Sequence, residues 1–432
     1  MSDRALPVSL YGQHIGDLDD VEGEGRRRAV LRWAPDGPWR LNSAALSRHL
    51  RVGVESPDAT ESFFGNLLPE GVHLDELARA TQTSTTDLVG MFAVVGADLA
   101  GALRIGAPGR AQEPQTLTSP EVRALLRRAP GFLVGGGGSA LPGFQRKLTL
   151  SRIDGTWVRG NGTIASTHIL KPVSADARPA AEAEAYALAV ARELGLVTFD
   201  SWVEQVDDLT VLVIERYDRH PTASGEIERV HQEDLAQALG LPPFGNHKFQ
   251  RAEPRANLAA IAAELDTDAT VFRPGTDGER LLRYVTLNVA VGNTDAHAKN
   301  FSLIHDPTGT TRLAPLYDIA PLALAFDATP ANAMTINGVW DLPSTTADDL
   351  VAEATTWGIE DARARQLVDD TLHGIVEATR TLPAHRSIDA HVPGFIRGQA
   401  QNLLAGKPAR IDSHVPLIML PGLGTHQEDQ TP

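Results

Sequence analysis

The hydrophobic pattern of this chain changes at about residue 230, and this change narrows the folds it can adopt more than any other feature. Before that point, short alternating runs such as "LTLS" (148–151) predict β-strands, interrupted by one clear helix. After it, "HQEDLAQALG" (231–240), "RANLAAIAAELD" (255–266) and "DGERLLRYVTLNVAV" (277–291) have apolar residues at the spacing of amphipathic helices. Strands and helices that are segregated along a chain are typical of an α+β fold.

Turn-rich segments divide the chain into three predicted domains. The strand "AVLRWA" and a helix that begins after Ser56 predict a small α+β subdomain at 1–110, followed by the linker-like "APGRAQEPQTLTSP". We expect a strand-rich unit at 125–225 and a mainly helical unit at 226–420. Several domains are expected because 432 residues exceed what one hydrophobic core usually holds.

The composition excludes several functional classes. The chain has no cysteine, which rules out disulfide frameworks, thiolate metal sites and cysteine nucleophiles. Its 39 Lys and Arg against 55 Asp and Glu give a formal charge of −16, which argues against nonspecific binding to nucleic acid or to an acidic membrane. The sequence lacks the pattern of a secretory signal peptide and of a membrane-spanning segment, so we expect a cytoplasmic protein.

Polar side chains are concentrated where the most apolar helix ends, in "GNTDAHAKN" (292–300). Four of them fall within six positions: Asp295, His297, Lys299 and Asn300. The turn signal "DPTG" (306–309) then predicts a hairpin that brings Asp318 beside Asn300. The sequence therefore predicts that two carboxylates and one amide oxygen converge at the end of a rigid helix.

This set of groups suits phosphoryl transfer on a magnesium-bound nucleotide. Mg²⁺ prefers carboxylate and other oxygen ligands, and the reaction also needs an aspartate that orients the attacking hydroxyl. The five-residue step from Asp295 to Asn300 is the spacing of the protein-kinase catalytic loop. The same spacing alone is most often structural. A zinc site of Asp295, His297 and His305 is disfavoured, because the eight-residue histidine spacing fits neither a helix nor a zinc finger.

Earlier segments supply candidates for nucleotide binding. Lys171, in the strand "HILKP", could pair with phosphates, and Glu184 on the following helix could hold that lysine, with Glu182 and Glu193 as alternatives. A strand-capping lysine and a solvent-facing glutamate are the structural alternatives.

Two further segments are candidates for the phosphate and adenine sites. The glycines of "GGGGSALPGFQRK" (135–147) could let backbone N–H groups approach phosphates, although Phe144 stands where a Walker A loop has lysine. Glu215, Arg216 and Tyr217 end an apolar strand at the place where a kinase offers backbone groups to adenine. An ordinary salt bridge at the strand end is equally consistent with these three residues.

Seven segments, in order, resemble the HipA-type serine/threonine kinases, the toxin halves of bacterial toxin–antitoxin pairs. They are "NLLPEG", "HILKP", "ARELGL", "IERYDR", "HQEDLAQALG", "GNTDAHAKNFS" and "YDIAP". The resemblance implies a bilobal protein-kinase-like fold with a small N-terminal α+β subdomain and a mainly helical C-lobe. It also implies ATP and Mg²⁺ as cofactors, bound between the lobes.

The resemblance assigns roles to individual residues. Asp295 would be the catalytic aspartate, and Asn300 and Asp318 would hold Mg²⁺. The residues implied in ATP binding are Pro142, Gly143, Phe144, Gln145, Arg146, Lys147, Lys171, Glu215, Arg216, Tyr217, His297, Ala298, Lys299, Asn300, Tyr317 and Asp318. The family commonly has a self-phosphorylated serine where this chain has Ala140, so self-phosphorylation is either lost or displaced to Ser139.

Partners also follow from the resemblance. Members of this family phosphorylate proteins, notably aminoacyl-tRNA synthetases, and so arrest growth. Their usual partner is a small helix-turn-helix antitoxin (HipB-like) that carries the kinase to DNA, and a negatively charged chain suits DNA contact only through such a partner. The alternatives are a small-molecule kinase of the antibiotic or sugar type and a catalytically silent co-repressor.

Overall fold

The computed structural model describes most of the chain. The described residues are 4–23, 26–106, 113–128, 141, 146–222, 225–265, 276–308, 310–325, 330–389 and 391–410. Most of the glycine-rich segment predicted to approach phosphates, namely 135–140 with Ser139 and 142–145 with Pro142 to Gln145, lies outside them.

Contacts divide the chain into two compact units. Unit 1 comprises Met1–Pro172, Gln205–His247 and Leu303–Thr311. Unit 2 comprises Val173–Glu204, Lys248–Ser302 and Arg312–Pro432. The three domains expected from sequence, 1–110, 125–225 and 226–420, follow chain order instead, and their bounds stay a prediction.

Unit 1 begins with a four-stranded antiparallel sheet and three helices. The strands are β1 (Leu6–Leu10), β2 (Gln13–Gly23), β3 (Arg26–Trp33) and β4 (Leu103–Ile105), in the order β3-β2-β1-β4. The helices are α1 (Pro57–Gly65), α2 (Val72–Thr81) and α3 (Leu88–Val95). The Ser56 hydroxyl accepts a hydrogen bond from the N–H of Ala59 and so caps α1, as predicted. The rings of Phe63, Phe64 and Phe92 meet edge to face in the core.

A six-stranded sheet follows, with the order β5-β7-β6-β8-β10-β9. Its strands are β5 (Gln115–Thr116), β6 (Leu148–Ile153), β7 (Thr156–Arg159), β8 (His168–Val173), β9 (Ser201–Val206) and β10 (Leu209–Glu215), and α4 (Ser119–Arg128) lies between β5 and β6 in sequence. A turn at Asp154 and Gly155 joins β6 to β7, and both residues have positive φ, as this hairpin turn requires.

One predicted helix in unit 1 is wrong in part. The segment "HQEDLAQALG" forms strand β13 (His231–Asp234) and the four-residue helix α6 (Leu235–Ala238). The side chains of Asp234 and Gln237 form a capping box, which begins the helix only at that point. Before β13, the strands β11 (Arg219–Pro221) and β12 (Ile227–Arg229) form a two-stranded sheet.

The predicted hairpin after the polar loop is confirmed. Strands β14 (Ser302–His305) and β15 (Thr311–Leu313) join β13 in a sheet with the order β13-β14-β15. The N–H of Asp306 donates to the carbonyl of Thr310 at the turn, at 3.0 Å.

Unit 2 is mainly helical in its described residues. Its helices are α5 (Arg178–Glu193), α7 (Leu258–Leu265), α8 (Asp277–Val291), α9 (Ala347–Thr356), α10 (Asp361–Thr381) and α11 (Val392–Leu404), with the short strands β16 (Ala331–Ile336) and β17 (Val339–Asp341). Helix α8 is buried along most of its length, and the hydroxyl of Tyr284 in its middle donates to the carbonyl of Ala314 at 2.9 Å. Among the described helices, none has both the length and the apolar character needed to cross a membrane.

Candidate active site

The polar loop begins where α8 ends. Gly292 adopts φ 80°, and its N–H donates to the carbonyls of Asn288 and Val289 at 3.0 and 3.1 Å. A Cβ on Gly292 would lie 2.9 Å from a ring carbon of Phe395 and 3.0 Å from the Cβ of Ala323. Glycine is therefore required here both by the left-handed backbone and by the close packing.

The Gly292→Ala variant should lose about 2–4 kcal/mol of unfolding free energy, since strained φ and steric overlap each contribute. Gly358→Ala is the matched control, because Gly358 also has positive φ (87°) but has open space around its Cβ position. We expect it to lose only about 1–2 kcal/mol. Urea unfolding of both variants measures the difference, and equal losses would mean that contact with Phe395 does not constrain the loop.

Within the loop, backbone and amide groups fix Asp295 relative to Asn300. The N–H of His297 donates to the carbonyl of Asp295 at 2.8 Å, and the N–H of Asn300 donates to the carbonyl of His297 at 2.9 Å. The Asn300 side chain donates through Nδ2 to the same Asp295 carbonyl at 2.8 Å. The amide nitrogen of Asn300 is thus engaged, which leaves Oδ1 as its atom for a metal.

The segment that carries Asp318 meets this loop. The Tyr317 hydroxyl donates to the Lys299 carbonyl at 2.7 Å, and the Asn293 Nδ2 lies 3.4 Å from the Asp318 carbonyl oxygen. Asp318 has φ 56°, and its side chain is exposed. The backbone of the segment that carries Asp318 thus lies against the loop that carries Asp295 and Asn300, and convergence of the three side chains stays a prediction.

Burial distinguishes the charged residues of the loop. The carboxyl side chain of Asp295 is 36% exposed, whereas His297 and Lys299 are buried. The His297 Nε2 lies 3.9 Å from Oδ2 of Asp295, and its ring packs edge-on against Phe249 at 5.1 Å. The Asp295 carboxylate is therefore accessible to an incoming molecule, while the His297 ring is buried against Phe249.

The predicted lysine and glutamate are both buried. Lys171 lies within β8 in unit 1, and Glu184 lies on α5 in unit 2. The two alternatives to Glu184 are less suitable: Glu182 pairs with Arg178 at 2.9 Å, and Glu193 is exposed. Pairing of Lys171 with Glu184 stays a prediction.

Arg216 is engaged in contacts other than those expected for an adenine site. Its Nε and Nη2 each donate to Asp218 at 2.9 Å, and its Nη1 donates to the Ser166 hydroxyl at 2.9 Å. Its backbone N–H donates to the Thr167 carbonyl at 2.9 Å. A contact of Arg216 with adenine would therefore have to use its carbonyl oxygen.

Arg216 belongs to a buried ion network within unit 1. Arg219 binds Asp98 at 3.2 Å and Asp218 at 2.8 Å, and Arg229 lies 3.3 Å from Asp98. Burial alone would raise the pKa of both carboxyl groups, but the neighbouring guanidinium groups hold the pKa of each well below its usual range. The loop that carries Asp98 is thus joined to the segment that follows β10.

The other residues predicted to bind the nucleotide differ in their burial and in their contacts. The Glu215 carboxylate lies 3.9 Å from Nε2 of His168, and the Tyr217 hydroxyl contacts Oε1 of Gln232. Ala298 is buried within the polar loop. Arg146 is exposed and Lys147 is partly buried directly before β6.

The structure also bears on the zinc alternative. Across the described part of the chain, no cluster of three or more His, Asp or Glu side chains is arranged to hold a metal ion. His305 instead binds Glu233, with Nε2 at 2.9 Å from the carboxylate, and both side chains are fully buried. A site with one carboxylate and one amide oxygen is compatible with Mg²⁺, which takes its other ligands from phosphate and water.

Comparison with known proteins decides the family. A HipA-like C-terminal domain matches residues 139–379, and a HipA N-terminal domain matches residues 6–106. The chain belongs to the HipA kinase family. The match at 139–379 extends over strands β6 to β10, the polar loop and most of unit 2. The resemblance seen in seven short segments is therefore confirmed.

Two relatives and one solved structure extend this result. "Putative kinase Y4mE" of Sinorhizobium fredii is 32% identical over 422 residues, covering 93% of this chain and 99% of that protein. "Serine/threonine-protein kinase toxin HipA" of Shewanella oneidensis is 25% identical over 359 residues, covering 78% of this chain and 81% of that protein. A chain of the solved complex of HipA, HipB and operator DNA from Shewanella oneidensis MR-1 has a TM-score of 0.71 at 21% identity, covering 93% of this chain and 97% of that one. This likeness confirms the predicted α+β, kinase-like fold.

The structure adds four contacts to the HipA-type loop that the sequence did not predict. The carbonyl of Lys248 accepts a hydrogen bond from the N–H of Ala298 at 3.2 Å, and Phe249 packs against His297. The side chain of Asn293 lies between the backbones of Asp295 and Asp318. Lys248 and Phe249 are about fifty residues from the loop in sequence, and no local pattern marks them.

Proposed function

We propose that this HipA-family chain is an ATP- and Mg²⁺-dependent serine/threonine protein kinase that acts as the growth-arresting toxin of a toxin–antitoxin pair. The observation that carries the proposal is the hydrogen-bonded unit at the end of α8. Asn300 is bound to the carbonyl of Asp295, and Asn293 lies between the N–H of Asp295 and the carbonyl of Asp318. An aspartate for the acceptor and two oxygen ligands for a metal are the groups that phosphoryl transfer requires.

The side chains present fit magnesium. Asn300 would bind it through Oδ1, since its Nδ2 donates to the Asp295 carbonyl, and Asp318 would bind it through its exposed carboxylate. When bound, ATP supplies the transferable phosphoryl group, and Mg²⁺ offsets the negative charge on its oxygens.

Asp295 would orient the incoming hydroxyl group and accept its proton. Its carboxylate is partly exposed, while its backbone is fixed on both sides by hydrogen bonds, so the acceptor meets a group of defined direction. Lys171, His297 and Lys299 would lie along the phosphates.

Several assignments depend on the family alone. Glu184 would orient Lys171, and Tyr317 would line the phosphate side. Glu215 to Tyr217 would contact adenine, with Arg146, Lys147 and the preceding Pro142 to Gln145 covering the nucleotide. Ser139 would be the self-phosphorylation site if one is used.

We also propose a cytoplasmic helix-turn-helix antitoxin of the HipB type as partner and a translation component, such as an aminoacyl-tRNA synthetase, as target. The solved complex from Shewanella oneidensis MR-1 contains HipA with HipB and operator DNA. A formal charge of −16 supports DNA contact through the partner, because a chain this negative is repelled by phosphates.

Labelling tests this function directly. Purified protein with Mg²⁺ and γ-labelled ATP should transfer label to serine or threonine of one protein in a panel of aminoacyl-tRNA synthetases. Aminoglycosides and sugars are offered in parallel as acceptors, and mass spectrometry locates the label. Label on a small alcohol with none on protein would contradict the protein-kinase proposal and favour a small-molecule kinase.

A further inference from the structure

The side chain of Asn293 contacts the backbone of both proposed catalytic aspartates. It is buried directly after the end of α8. Its Oδ1 accepts a hydrogen bond from the N–H of Asp295 at 3.3 Å, and its Nδ2 lies 3.4 Å from the carbonyl oxygen of Asp318. One amide group therefore spans the loop that carries the acceptor aspartate and the segment that carries the metal aspartate.

The same amide is anchored to the helix. Nδ2 of Asn293 donates to Oδ1 of Asn288 at 2.8 Å, and Nδ2 of Asn288 donates to the carbonyl of Tyr284 at 3.0 Å. Tyr284 is in turn fixed by its hydroxyl to the carbonyl of Ala314. A chain of hydrogen bonds thus runs from the buried face of α8 to both aspartates.

A small cavity of about 20 Å³ lies beside the loop. The side chains of Asn288 and Asn293 form part of its wall, and the other residues of the wall, such as Val289 and Phe301, are mostly apolar. The loop is therefore held both by apolar packing and by the hydrogen bonds of Asn293, and substitutions at Asn293 remove only the second kind of support.

We propose that Asn293 is a positioning residue that couples the backbone of Asp295 to that of Asp318, so that the acceptor site and the metal site are set together. This inference rests on the proposed kinase function. A residue that only orients a metal ligand or a catalytic group typically changes metal affinity or activity by about 10–100-fold when removed.

Two variants separate the contact of Asn293 with Asp295 from its contact with Asp318. Asn293→Ala removes every hydrogen bond of the side chain, so transfer should show a kcat about tenfold lower and a half-saturating Mg²⁺ concentration about tenfold higher. Asn293→Asp has the same shape and keeps the acceptor for the Asp295 N–H, but it cannot donate to Asn288 or Asp318. It should show the raised Mg²⁺ requirement while kcat at saturating Mg²⁺ stays within about threefold of wild type.

Asn66→Ala is the matched control, since Asn66 is a buried asparagine of unit 1 whose Nδ2 donates to the carbonyls of Ser62 and Leu241. It should lower stability and leave the Mg²⁺ dependence unchanged. If the wild type is active and the Asn293 variants have the same kcat and Mg²⁺ dependence as the wild type, the inference about Asn293 is overturned and the proposed function is not. A wild type without Mg²⁺-dependent transfer would overturn the proposed function and this inference with it.

Discussion

The Asp295→Asn variant should lose phosphoryl transfer by about 10²–10⁴-fold, the range that a positioned general base contributes. The substitution keeps the shape of the side chain but removes the oxygen that would accept the proton of the acceptor hydroxyl. Hydrogen bonds to the N–H and carbonyl of residue 295 come from Asn293, His297 and Asn300 and do not involve the carboxylate, so the loop should keep its conformation. Binding of Mg²⁺ and ATP should therefore be preserved.

Single-turnover transfer and calorimetric titration with Mg²⁺ and ATP measure the two effects separately. Asp207→Asn is a suitable control, because it removes an equal charge from an exposed turn of unit 1. Growth arrest on overexpression provides a second readout. If Asp295→Asn arrested growth as fully as the wild type, the toxin would not act as a kinase through Asp295, and a co-repressor role would be favoured.

The Asp218→Ala variant should lose about 3–5 kcal/mol of unfolding free energy, because breaking a buried ion pair leaves charges without compensation. Asp218 accepts hydrogen bonds from Arg216, from Arg219 and from the N–H of Gly101, and its side chain is almost fully buried. Without Asp218, the buried guanidinium groups of Arg216 and Arg219 have Asp98 as their one remaining carboxylate in this network.

Asp208→Ala is the matched control, since Asp208 also pairs with two arginines, Arg123 and Arg127, but at an exposed site. Such surface pairs contribute about 0–1 kcal/mol. Urea unfolding compares the two variants, and similar losses would show that the buried network does not stabilise unit 1.

The pH dependence of this difference follows from the lowered pKa of Asp218. A carboxyl group whose pKa is lower in the folded state stabilises the protein above its unfolded-state value of 3.8, and this contribution is lost as the pH falls toward the folded-state pKa. The difference between wild type and Asp218→Ala should therefore be constant from neutral pH to about pH 5 and should shrink below about pH 4. A difference that shrinks between pH 7 and pH 5 would contradict the assignment.

The helices and the hairpin could be predicted because their signals are local. Helix α8 combines apolar periodicity with a threonine cap at Thr276 and a glycine stop at Gly292. The turn "DPTG" gives the register that places Tyr317 against Lys299, and Asp318 follows from it. Each of these signals lies within a few residues of the feature it specifies.

The features that the sequence does not predict depend on contacts between residues that are distant along the chain. The buried ion network of the Arg216 side chain includes Asp98, which is more than a hundred residues away, so no local pattern predicts it. The strand β13 was predicted as helix because the pairing with β14 that fixes it is remote in sequence. The bridging role of Asn293 depends on a carbonyl at Asp318 that only the folded hairpin brings near.

A crystal structure with Mn²⁺ and a non-hydrolysable ATP analogue tests the central claim most directly, since the anomalous signal of manganese locates the metal independently of the protein atoms. We expect the metal to be bound by Oδ1 of Asn300 and by the carboxylate of Asp318, with the carboxylate of Asp295 facing the terminal phosphate. A nucleotide that bound with its metal away from both Asn300 and Asp318 would contradict this assignment.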